Sequence, residues 1–305
     1  MSLKTDLNSG DFVITAELNP KKSFTCETLI ENAKKLKGLV SAINVTDNSG
    51  AGVKMTPLVA SYLMQQETGI EAIWQITCRD RNRLALQSDI LGAAALGLKN
   101  ILPLRGDDPK QGDYPEVTAA FDILTEDLIK AIKLLESGKD MADKDLKPYN
   151  PYEFCVGAAA HPGMPDLETQ KETMLRRVGL GTEFFQTQIC FDNTQLKNFR
   201  DSINDDLAAK TLLGITPIKT LKQANFMNKN IWGVDVPPEL LASLENAIEG
   251  LDPSSEEAMK RQKQVGLENA SEITKLVKEM GFKGIHLMAI GQETVLAEIL
   301  DYIVP

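Results

Sequence analysis

Glu17 stands near the end of the apolar run FVITAELNP (12–20), with Thr15, Ala16 and Leu18 around it. A partly buried carboxyl tends to keep its proton, because burial disfavours its charged form. That suits a general acid working near neutral pH. A carboxylate held by a nearby Lys or Arg is the competing reading, and spacing leaves both open. A second acid, Asp107, follows Gly106 in LRGDDP (104–109), where it could orient a polar heterocycle or modulate its electronics. Arg105 beside it, with Arg79, Arg81 and Arg83 in CRDRNR (78–83), puts positive charge where an acidic chain would otherwise repel an anion. An Arg–Asp surface network competes with that reading, more strongly for Arg81 and Arg83 than for Arg105 and Asp107.

Neutral polar groups cluster in the same way. Thr46, Asp47 and Asn48 end the run VSAINVTDN (40–48), ahead of a Gly-rich turn and a helix start. Hydroxyls, amides and a helix N-terminus suit a pyrophosphate, although turns rich in Asn, Asp and Gly are common for local reasons. In FFQTQICFD (184–192), Gln186 and Gln188 lie two apart and so share one face of a strand. Inward amides are costly to bury without partners. Gln188, nearer the end, suits a bidentate hydrogen bond with a pterin-like or amide-bearing ligand. His161 precedes Pro162 at the end of another run and could line the site, whereas His286 lies inside a run and reads as core. Arg176 and Arg177, late in a helix, read either as solvated cations or as ligand contacts. No Ser–His–Asp or metal set is completed, so hydrolytic and zinc mechanisms are disfavoured. Cys26, Cys78, Cys155 and Cys190 show no CxxC spacing, and Cys155 and Cys190 read as reduced core residues.

These clusters share a position. Eight short apolar runs each end in one: 12–20, 40–48, 70–80, 100–109, 153–162, 184–192, 211–217 and 284–291. Helical periodicity separates most of them, which implies a parallel sheet. A parallel barrel gathers the C-terminal ends of its strands on one face, so the clusters would converge. A doubly wound sheet would want a Gly-rich phosphate loop after its first strand, and NPKKSFT stands there instead. The expected fold is a single (β/α)8 TIM barrel spanning 1–305, with one or two extra helices before the last strand. Helices are expected at about 26–37, capped by Thr25 or Ser23, and at about 57–67, 82–96, 120–137, 167–180 and 193–203. Another should begin near Thr220, and a long one should span about 254–280. The polar stretch 136–151 reads as a surface excursion.

The chain has 305 residues, 43% hydrophobic and 25% charged, with a formal net charge of −10. That balance argues against nucleic-acid binding, which needs Lys and Arg to displace phosphate counterions. With no apolar leader and no segment approaching the roughly 18 apolar residues of a span, the expected setting is the cytoplasm, without a membrane.

Taken together, TAELNP, NVTDN, QITCRDRNRLALQSD, LRGDDP, VGAAAHPG and FFQTQICFDN resemble the methylenetetrahydrofolate reductase family. The likeness is to its short bacterial form and covers almost the whole chain in order. The resemblance implies a barrel that binds FAD, with folate and electron donor using one flavin face in alternation. It implies that Glu17 is the acid that helps open the five-membered ring of 5,10-methylenetetrahydrofolate, whose iminium takes hydride from reduced flavin. Asp107 would lie by flavin and folate, and Gln188 would contact the pterin. Thr46, Arg105, Ala160 and Arg177 match flavin-contacting positions, and His161 is counted with them.

Three departures from a well-studied branch stand out. Arg177 replaces a Lys, Gln75 replaces a flavin-contacting His, and Leu221 replaces a Phe that packs on substrate and nicotinamide. The last puts direct use of NADH or NADPH in question. QITCRDRN and FFQTQ look like the branch of anaerobes and acetogens, where an iron–sulfur or other electron-transfer partner can serve. A pterin-binding methyltransferase using Asp47, Asn48 and Gln188, and a non-catalytic folate-binding subunit of a larger complex, are the alternatives.

Overall fold

The structure, a computed structural model, describes residues 2–304. Among them, eight strands alternate with helices. The strands are β1 (Val13–Leu18), β2 (Ala42–Val45), β3 (Glu71–Thr77), β4 (Asn100–Leu104), β5 (Cys155–Ala160), β6 (Phe184–Ile189), β7 (Thr211–Ile215) and β8 (Gly284–Leu287). They close into a barrel in chain order. The helices are α1 (Leu3–Asn8), α2 (Glu27–Lys35), α3 (Pro57–Thr68), α4 (Arg83–Ala95), α5 (Thr125–Glu136) and α6 (Leu167–Gly179). They continue as α7 (Asn193–Ser202), α8 (Asp205–Ala208), α9 (Leu221–Asn230), α10 (Pro238–Asn246), α11 (Glu256–Glu279) and α12 (Leu296–Ile303). The fold is the expected (β/α)8 barrel, and α10 and α11 are the helices added before the last strand.

Two compact units make up the chain. The first holds Thr15–Ala159 and Met174–Phe185, and the second holds Phe12–Ile14, Ala160–Thr173 and the chain from Gln186. In the first, parallel pairing sets Glu17 opposite Asn44 and Gln75 opposite Leu102. Strands covered on both faces need apolar side chains on both, and Ile73, Trp74 and Ile76 of β3 are fully buried. Each such side chain contributes about 1.5–3 kcal/mol relative to leaving it in water. In the second unit, β7 pairs with β8, setting Gly214 opposite His286. There Ile189, Phe191, Ile218, Met227, Val236 and Leu244 form an apolar cluster.

Several boundaries differ from expectation, each for a local reason. Neither Thr25 nor Ser23 caps α2: the Thr25 N–H donates to Ser23 Oγ (3.1 Å), and Cys26 takes the cap position without a side-chain bond. The helix expected from about 120 begins at Thr125, because the preceding residues are tied to the end of β3. The Ala120 N–H donates to the Arg79 carbonyl (2.7 Å) and the Phe121 N–H to that of Cys78 (3.1 Å). The run 284–291 is strand only to Leu287, since Ile290 (φ 37°) and Gly291 (φ 73°) turn the chain. The amphipathic α12, which buries Leu296, Ile299, Leu300 and Ile303, was not anticipated, and neither was the short α1.

All four cysteines are free and buried. Burial pushes the thiols of Cys78, Cys155 and Cys190 up to about 12, so they remain protonated at neutral pH. Among the described residues, no helix is long and apolar enough to cross a membrane.

Candidate active site

In the first unit, Glu17 is half-buried one residue before the end of β1. Gln75 on β3, 6% exposed, donates its Nε2 to Glu17 Oε2 at 3.3 Å. Ile73, Gln75 and Thr77 alternate along β3 and therefore share one side of it. Thr46, just past β2 and also buried, donates its hydroxyl to Asn19 Oδ1 (2.8 Å), which also accepts from Ser49.

Asp47 and Asn48 are spent on the turns themselves. The buried Asp47 carboxylate accepts from the Thr77 N–H (2.8 Å), the Thr77 hydroxyl (3.0 Å) and Arg81 Nη1 (2.7 Å). Asn48, left-handed at φ 46°, accepts from the Lys54 N–H and donates to Asp80. Arg81 also pairs with Asp89 and is largely buried, whereas Arg83 forms an exposed pair with Asp122. The Arg83 guanidinium and the Arg83 backbone N–H both donate to the Asp122 carboxyl and hold it at about 2.

Arg105 lies over the Phe121 ring, 4.4 Å from its centroid, a cation–π contact. The exposed Asp107 accepts the Gly50 N–H at 2.7 Å. Gly106, between them, has φ +91°, and a Cβ there would stand 2.9 Å from Arg79 Cβ and 3.1 Å from Thr77 Cβ. Only glycine meets both demands. Gly106→Ala is expected to cost about 1–3 kcal/mol, read as a lowered urea midpoint with an unchanged slope. An unaltered midpoint would mean that the turn placing Asp107 tolerates a side chain.

Two arginines carry unmet donors. Arg79 is 2% exposed and pairs with Asp80, yet its Nη1 is buried without a hydrogen-bond partner. It lines a cavity of about 180 Å³ with Asn48, Asp80, Tyr114 and Val117. Arg177, in the last turn of α6, donates Nη1 to the Ala159 carbonyl (2.8 Å), while its Nε has no partner. Among the described residues no carboxylate lies within ion-pair distance of Arg177. Burial pulls its pKa below the usual arginine value; Glu126 opposes the shift and Arg176 adds to it.

In the second unit, Ala160 closes β5 and is fully buried. His161 follows, with its ring edge-on to Trp232 at 4.9 Å. Gln188 of β6 is half-buried, its Nε2 donating to the Trp232 carbonyl (3.1 Å) and its Oε1 accepting the Ile189 N–H (3.0 Å). An amide has two donor hydrogens and two acceptor lone pairs, so one of each remains. Gln186 instead meets His286 Nδ1 at 3.2 Å in the interior. Leu221, the first residue of α9, packs against the apolar cluster. Sequence reasoning did not single out Trp232, a lone aromatic before a glycine in NIWGVD, nor the partnership of Gln75 with Glu17. Among the described residues no group of His, Cys, Asp and Glu could hold a metal ion.

A closed parallel barrel with acids and amides at its strand ends belongs to the (β/α)8 enzymes. Residues 2–303 match the family model for methylenetetrahydrofolate reductase, and the chain belongs to that family. It is 25% identical over 292 residues to the 5,10-methylenetetrahydrofolate reductase of Salmonella typhimurium strain LT2, covering 93% of this chain and 88% of that protein. The Escherichia coli K12 enzyme of the same name is 24% identical with the same coverage. Among solved structures, a Clostridium thermocellum protein that binds two copies of 5-methyl-5,6,7,8-tetrahydrofolic acid superposes with a TM-score of 0.63. It shares 15% identity, with 99% of this chain and 98% of that one covered. EDTA monooxygenase from Chelativorans sp. BNC1 gives a TM-score of 0.55 at 13% identity, covering 96% and 92% of the two chains. These two likenesses concern the fold.

Proposed function

We propose that this chain reduces 5,10-methylenetetrahydrofolate to 5-methyltetrahydrofolate with FAD as its cofactor and Glu17 as general acid. The observation that carries the reading is the half-buried Glu17 carboxyl at the end of β1, bonded by the buried Gln75 amide, in a chain of this family. The family is generally flavin-dependent, and the first unit suits such a group. The unmet donors of Arg177 and Arg79 match the phosphate oxygens of a dinucleotide. When bound, FAD supplies the hydride.

The protein's own residues handle charge and orientation. Glu17 gives its proton to N10 of the folate, which opens the five-membered ring and leaves an iminium carbon on N5. Gln75 fixes the carboxyl that does so. In the first unit Arg177, Arg105 and Thr46 hold the cofactor, and the family resemblance assigns Ala160 and His161 to it as well. Asp107, anchored by the Gly50 N–H, orients the heterocycles. Gln188 reaches the pterin with its remaining N–H and lone pair. The donor is NADH, NADPH or a reduced electron-transfer protein such as an iron–sulfur subunit, and Leu221, standing where the resemblance has an aromatic platform for nicotinamide, supports the last of these. The reaction belongs to cytoplasmic one-carbon metabolism.

The commitment of Asp47 and Asn48 to their turns speaks against a methyltransferase that would need both at the pterin. Substrate labelled with carbon-13 at the bridging methylene separates the two reactions. With FAD and a chemical reductant, the label should appear as 5-methyltetrahydrofolate with one equivalent of reductant consumed. Methylene substrate left unreduced, together with transfer of the labelled methyl of 5-methyltetrahydrofolate to an added cob(I)alamin or thiol, a step that consumes no reductant, would contradict the reductase.

A further inference from the structure

Trp232 is 66% exposed, although it sits in a turn that is held firmly in place. Gln188 donates to its carbonyl, His161 meets its ring edge-on, and Gly233 behind it has φ +76°, a conformation a side chain would strain. An indole exposes a large apolar face, and leaving it in water forgoes about as much burial energy as any side chain can give. A pinned backbone carrying an unburied ring is the arrangement of a preformed stacking surface rather than of a loose loop. Its neighbour Gln188 is the amide assigned above to the pterin. The ring would therefore meet an aromatic portion of the same ligand.

We infer that Trp232 is a substrate-binding residue, stacking on the pterin or p-aminobenzoyl ring of the folate beside Gln188. This rests on the folate reading proposed above. Gln188 then has two tasks: one N–H holds the turn that carries Trp232 while one lone pair accepts the Ile189 N–H, and the remaining N–H and lone pair face the ligand. His161, edge-on to the indole, fixes the ring plane.

The chain's other tryptophan, Trp74, is fully buried, so the two report separately. In the FAD-loaded protein, saturating 5-methyltetrahydrofolate should shield the acrylamide-accessible fluorescence, that of Trp232, and leave the shielded fraction unchanged. Calorimetric titration of 5-methyltetrahydrofolate should show about ten-fold weaker binding for both Trp232→Ala and Trp232→Leu, with Trp232→Phe within about three-fold of wild type. The leucine variant keeps apolar volume without a flat ring, and thermal midpoints close to wild type in all three would show that folding is intact. Wild-type affinity in the alanine and leucine variants would overturn the inference while leaving the reductase reading in place. Shielding by NADH but not by folate would overturn it in favour of a nicotinamide platform. A wild-type protein that fails to bind 5-methyltetrahydrofolate at all would remove both readings.

Discussion

Glu17→Gln is expected to slow folate reduction by about 100- to 10,000-fold, the ordinary contribution of a positioned general acid. Glutamine keeps the size of the side chain and an oxygen that can accept the Gln75 N–H, so the geometry at the end of β1 should survive. What it lacks is a proton acidic enough to give to N10. Affinity for FAD and for 5-methyltetrahydrofolate should stay within a few-fold of wild type, because neither binding event needs that proton. Pre-steady-state rates of the folate half-reaction, measured beside equilibrium titrations, separate the two. A variant that reduces folate at the wild-type rate would remove Glu17 from the chemistry. A variant that loses folate affinity and rate in equal measure would make it a binding residue instead.

Asp47→Ala is expected to produce the largest loss of stability. The carboxylate is fully buried, and its oxygens receive an N–H, a hydroxyl and the Arg81 guanidinium. Removing one partner of a buried ion pair leaves the other charge uncompensated, at about 3–5 kcal/mol. In a chain of this length that corresponds to a fall in Tm of roughly 5–8 °C. Arg81 retains Asp89 at 2.8 Å, which tempers the loss. Calorimetry on the purified variant checks it. A near-native Tm combined with lost folate affinity would make Asp47 a pterin ligand and revive the methyltransferase reading.

The contrast between these two acids shows what the sequence can carry. Both stand at the end of an apolar run, and composition gives no sign that one is saturated by the next strand's turn. Asp47 is claimed by Thr77 and Arg81, thirty or more residues away in the chain. The partner of Glu17 lies on β3, 58 residues on. Such pairings depend on register, and periodicity does not encode register between distant strands. The barrel was legible because each strand is a short apolar run and most helices carry their own stripe and stops, such as Asn82 capping α4 and the left-handed Gly69 closing α3. The late start of α5 was not legible, since hydrogen bonds from residues 120 and 121 to the end of β3 hold that segment out of the helix. Trp232 escaped notice for a related reason. An aromatic residue is ordinarily core, and only its exposure beside Gln188 sets it apart.

The central claim is most directly tested by a single turnover under anaerobic conditions. The FAD-loaded protein is reduced chemically, the excess reductant is removed, and 5,10-methylenetetrahydrofolate is added while the flavin absorbance is followed. The account predicts reoxidation of the flavin with one equivalent of 5-methyltetrahydrofolate formed per flavin, and a rate lowered at least 100-fold in Glu17→Gln. A flavin that stays reduced in the presence of saturating folate, or a protein that takes up no FAD, would contradict it.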